Sequence, residues 1–137
     1  MFGKRKQPPI RSLIAQGTVI TGDLSFSEGL RVDGEIRGNV QAVSGQPSML
    51  VISETALIQG EVRADLIVAN GTVQGPVFAG DLLELQPKAR IEGDVAYAAL
   101  EMHQGATITG KLQPTVASAQ EPGGAEKPPL TLAASNG

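Results

Sequence analysis

An all-β solenoid, a parallel β-coil of about six short turns, is the fold class this sequence predicts, and three observations predict it. One pattern, Leu-x-apolar, a polar turn, then Ile-x-Gly-x-Val, is written six times. Its anchor glycines fall at 22, 38, 60, 75, 93 and 110, in steps of 16, 22, 15, 18 and 17 residues, too short for any copy to bury a core alone. Seventeen Gly and nine Pro among 137 residues oppose a helical protein, and an aromatic content of 3% leaves Val, Ile and Leu to fill the interior.

The clearest copy runs from Leu83 to Val95, through Leu85, Ile91 and Gly93. The same skeleton appears as Leu50/Ile52/Ile58/Gly60/Val62, Leu66/Val68/Val73/Gly75/Val77 and Leu100/Met102/Ile108/Gly110/Leu112. Two looser copies precede them, Ile14/Ile20/Gly22/Leu24 and Leu30/Val32/Ile36/Gly38/Val40.

Taken in order, residues 1–11 carry Lys4, Arg5, Lys6 and Arg11 and no acid, and Pro8-Pro9 cannot join a ladder. They read as a disordered basic arm. Either it is a solvated leader, or it binds membrane: Met1 and Phe2 enter the acyl boundary while Lys4, Arg5 and Lys6 face anionic headgroups, each cation adding about 1 kcal/mol. So weak an anchor works only when many copies are held side by side.

From 12 to 112 every copy has one grammar. Apolar residues two apart point to one side of a strand, and Val51, Glu84 and Glu101 point to the other. Corners follow at Gln16-Gly17, Asn70-Gly71, Gln86-Pro87 and Gln104-Gly105. The second strand carries Ile-x-Gly-x-Val, its Gly marking a bend. Three short sides per coil stack in parallel, so Ile20, Ile36, Ile58, Val73, Ile91 and Ile108 form one interior column. Leu24, Val40, Val62, Val77, Val95 and Leu112 form another. The insertion at 42–47 is expected to bulge as a loop. The segment 113–137, rich in Pro, Gly and Ala, reads as a disordered tail.

Zero Cys removes disulfides and thiol chemistry. A single histidine, His103, excludes three-histidine zinc sites, and one acid per coil does not converge on an ion, so no metal, cofactor or catalytic residue is assigned. There is no phosphate-binding Gly-x-x-x-x-Gly-Lys pattern for nucleotide-driven assembly. Residues 12–112 hold 6 basic and 12 acidic side chains, a poor match for nucleic acid. With no bilayer-length apolar run and no secretory h-region, the expected compartment is the cytoplasm.

A stacked coil exposes its first and last rungs unless a cap covers them, and no polar cap is legible here. Leu13, Ile14, Leu100, Met102, Ile108 and Leu112 are therefore the expected polymer interface, with a second copy as partner. Ends that stack without closing grow a filament. The alternatives are a monomer whose tails fold over the ends and a dimer closed through one end.

The run Thr18-Val19-Ile20-Thr21-Gly22-Asp23-Leu24, the run from Gly29 to Val40 and the later Gly-x-Val copies resemble the bactofilin family over 12–112. Met1-Phe2-Gly3-Lys4-Arg5-Lys6 resembles the family's membrane-targeting start. The resemblance implies a right-handed parallel β-helix, roughly triangular, between disordered tails. It also implies non-polar, nucleotide-free filaments, peripheral association with the cytoplasmic face of the inner membrane, and a scaffold for cell-shape or cell-wall enzymes. Many members carry an aromatic in the terminal coil where this sequence has Ile108. The rival from another class is a left-handed β-helix acyltransferase; its sixfold aliphatic spacing occurs here once per coil, as at Leu85 to Ile91, and is not sustained.

Overall fold

A computed structural model describes residues 8–115 as fifteen β-strands without a helix. Strands β1 (Ile10–Ile14), β2 (Val19–Thr21) and β3 (Leu24–Phe26) make the first coil, and β4 (Gly29–Val32), β5 (Glu35–Arg37) and β6 (Val40–Ala42) the second. Then follow β7 (Met49–Ile52), β8 (Leu57–Gln59), β9 (Val62–Ala69), β10 (Thr72–Gln74), β11 (Val77–Leu85), β12 (Arg90–Glu92), β13 (Val95–Met102), β14 (Thr107–Thr109) and β15 (Leu112–Pro114). The long strands β9, β11 and β13 turn a corner, each closing one coil and opening the next. All pairings are parallel, and six coils at the usual strand spacing stand roughly 29 Å tall.

Three sides result. Side A stacks β1, β4, β7 and the second halves of β9, β11 and β13. Side B is the six-stranded sheet from β2 to β14. Side C stacks β3, β6, the first halves of β9, β11 and β13, and β15. Strands begin at Ile10 and end at Pro114, slightly beyond the 12–112 span expected for the coils.

Both interior columns form in the expected register. Ile36, Ile58, Val73 and Ile91 stack on side B, and Val40, Val62, Val77 and Val95 on side C, all buried because a coil lies above and below each. Side A contributes Leu30, Leu50, Ile67 and Leu83, and beside them Val32, Ile52, Ala69 and Leu85. This corrects one expectation: Leu50 and Ile52 are continued by Ile67 and Ala69, not by Leu66 and Val68. Leu66-Ile67-Val68-Ala69 is apolar at every position, so alternation carries no phase there, and the pairing partners decide it.

The anchor glycines form a column of their own. A Cβ at Gly93 would lie 2.5 Å from the Gly75 carbonyl oxygen, and one at Gly60 would strike the Gly38 carbonyl, so coil spacing at this bend admits no side chain. The polar residue after several of these glycines is tied to the next coil. Asp23 Oδ1 accepts the Asn39 N–H at 3.0 Å, Asn39 Oδ1 accepts that of Glu61 at 2.8 Å, and Asp94 Oδ1 accepts that of Lys111 at 2.9 Å. In this column Asp23 and Asp94 stand four coils apart with Asn39, Glu61 and Pro76 between, so its acids do not adjoin one another.

The segment 43–48 leaves the coil between β6 and β7 as a bulging loop. Its base is clipped by Ser48, which is 2% exposed: the Ser48 N–H donates to Asp65 Oδ2 at 3.2 Å, and Ser48 Oγ accepts the Asp65 N–H at 3.0 Å.

Candidate polymer interface

Among the described residues, each interior column ends in a residue with no coil beyond it. On side A, Leu85 is fully buried while Met102, its partner one coil on, is 45% exposed. Ile108 and Leu100 are partly covered from one side only, and Leu112 is exposed. Among the described residues both sheets end on the strands of coils 1 and 6, with β14 and β15 as edge strands at one end and β1 and β2 at the other. Among the described residues, no strand stacks beyond either end.

The two ends differ. At coil 6, Leu100, Met102, Ile108 and Leu112 share one rung, rimmed by exposed Thr107, Thr109 and Lys111. At coil 1, Ile14 and Ile20 are partly buried, and Phe26 is nearly covered. Leu13, expected in the rung, stands in register with exposed Arg31 on the outward phase and is 58% exposed; Ser12 occupies the inward position beneath Leu30. The strand phase set by Ile14 over Val32 decides this.

Met1, Phe2, Lys4, Arg5 and Lys6, the residues expected to bind membrane, lie outside the described residues. Within them no helix is long and apolar enough to cross a membrane.

Two features escaped the sequence. His103 stands exposed on the outer surface, and its Nε2 lies 3.2 Å from Glu84 Oε2, with Glu101 close by. Glu84 and Glu101 pair in register, so the repeat stacks residues 17 apart that linear spacing does not suggest as neighbours. Asp33 is held below its ordinary carboxylate pKa first by the hydrogen bond donated from Ser53 Oγ at 2.6 Å and then by Arg31 at 2.9 Å.

The uncapped stack is where comparison with known proteins bears. The family described as "Bactofilin: Polymer-forming cytoskeletal" matches residues 12–113. The chain belongs to the bactofilin family. Bactofilin BacO of Myxococcus xanthus (strain DK1622) is 22% identical over 111 residues, covering 81% of this chain and 85% of that protein. No solved structure matches the chain significantly. For this bactofilin, the matched segment coincides closely with the stacked coils.

Proposed function

We propose that this bactofilin is a bacterial cytoskeletal scaffold that polymerises without nucleotide by stacking terminal coils end to end. The observation that carries the proposal is the contrast within each column, fully buried through the middle coils and partly or largely exposed at the last described one. Burying that rung against another copy removes apolar surface from water and pairs the open strand edges. An apolar centre inside a polar rim of Thr107, Thr109 and Lys111 has the anatomy of a protein interface.

Like-end contact follows from the difference between the ends. Coil 6 has a continuous apolar rung, whereas coil 1 offers Ser12 in the corresponding position. Joining coil 6 to coil 6 matches the two most apolar surfaces, and joining coil 1 to coil 1 extends the chain, so the filament has no polarity.

The basic start supplies the second half of the function. Met1, Phe2, Lys4, Arg5 and Lys6 hold the filament to the cytoplasmic face of the inner membrane, weakly per copy and firmly in an array. There the polymer organises cell-shape or cell-wall machinery as a scaffold rather than an enzyme. High-speed pelleting of the purified protein in nucleotide-free buffer tests the assembly step: protein that pellets supports it, and protein that stays in the supernatant at all concentrations refutes it.

A further inference from the structure

The three outer faces of the solenoid are not alike. Side B turns out mainly polar residues, Glu35, Arg37, Gln59, Gln74, Arg90 and Glu92, with Val19 and Leu57 as isolated apolar positions between them. On side A, three successive coils turn out Met49 and Val51, then Leu66 and Val68, then Leu82. Met49, Val51, Val68 and Leu82 remain partly exposed. The strands that carry them read Met-Leu-Val-Ile and Leu-Ile-Val-Ala, apolar on both phases, as strands covered on both faces do. Leu50, Ile52, Ile67 and Ala69 fill the interior and Leu66 is already covered within the chain at 6% exposure, which leaves Met49, Val51, Val68 and Leu82 as the apolar outward positions still open.

We propose that side A pairs laterally with side A of a second copy in antiparallel orientation. Charge selects this occupant. One outward column runs Arg31, Val51, Val68, Glu84 over four successive coils, cationic at one end and anionic at the other. A two-fold axis along the strands, passing between the third and fourth coils, sets Val51 against the partner's Val68. The same axis sets Arg31 against the partner's Glu84. Parallel pairing would instead oppose Glu84 to Glu84. The side chains of Arg31 and Glu84 are 50% and 25% exposed, so both are reachable. Glu84 and Glu101 together at one end of the strip repel an anionic lipid surface, which disfavours membrane as the occupant. Such a contact is isologous and closes on itself, so it widens a filament without lengthening it.

A charge swap tests the pairing independently of end stacking. Full-length protein carrying both Ser12→Arg and Leu112→Arg, which block the coil-1 and coil-6 contacts of the proposed function, is compared with the same protein carrying in addition Arg31→Glu, Glu84→Arg, or both, by sedimentation velocity. The parent is expected to dimerise, each single change to weaken the dimer at least about tenfold, and the double change to restore it. Because Arg31 also bonds Asp33 at 2.9 Å, melting curves are read alongside, and Glu84→Arg serves as the variant that leaves that bond intact. A parent that stays monomeric, a dimer indifferent to either charge, or a dimer that the double change fails to rescue overturns the pairing. So does binding to anionic vesicles that is lost on Val68→Lys when no dimer is present. Wild-type filaments one molecule wide would sink the lateral contact while leaving end stacking intact.

Discussion

Val95 and Leu112 occupy the same interior column, paired in register one coil apart, yet Val95 is fully buried and Leu112 is 46% exposed. Among the described residues no coil lies above Leu112, and that makes the difference. Replacing Leu112 with Arg therefore places a charge in water and not in a core. The expected outcome is a folded protein, its stability changed by no more than about 1 kcal/mol, that no longer pellets. Circular dichroism melting and high-speed sedimentation of Leu112→Arg check the two halves separately.

Ile91 sits in the equivalent column on side B, 1% exposed between Val73 and Ile108. Ile91→Arg would bury an unpaired charge with coils above and below it. The cost, several kcal/mol, is comparable with the whole stability of a small domain, about 5–15 kcal/mol. Unfolded or insoluble protein is expected, and a soluble variant with an unaltered far-UV spectrum and melting point would contradict the core assignment.

Acid should loosen the turn between sides A and B of the second coil. Ser53 Oγ and Arg31 both donate to Asp33 Oδ1, which lowers its pKa in the folded state below the ordinary 3.8. Depression of this kind stabilises the fold above the unfolded value, and the contribution is lost as pH falls through the folded value. Melting temperature measured from pH 5 to pH 2.5 should drop on the acid side, and the drop should shrink in Asp33→Asn. An identical acid limb in both proteins would remove Asp33 from the account.

Deleting residues 2–6 should release the protein from anionic vesicles without impairing assembly, because the stacked coils begin at Ile10. Co-sedimentation with liposomes, run beside pelleting without them, separates the two activities. Unchanged vesicle binding would make the arm a solvated leader.

Much of the fold was legible because the repeat writes its inward residues twice per side. Ile36/Ile58/Ile91 and Val40/Val62/Val95 were recognisable wherever a polar residue separated two apolar ones. Legibility failed where that contrast vanished, as at Leu66 to Ala69, and at Leu13, where a single coil offers no neighbouring copy to fix the phase. Contacts between coils were also hidden. Ser48 with Asp65, and His103 with Glu84, are made by stacking residues 17 and 19 apart, and no local spacing announces them. The apolar rung of coil 6 was readable from the repeat, but its asymmetry with Ser12 in coil 1 needed the register.

Negative-stain electron microscopy of the purified wild-type protein in nucleotide-free buffer, beside Ile108→Arg, tests the central claim most directly. Open-ended stacking predicts long filaments from the wild type and only short particles from the variant. Isolated particles from the wild type at every concentration, or undiminished filaments from Ile108→Arg, would contradict it.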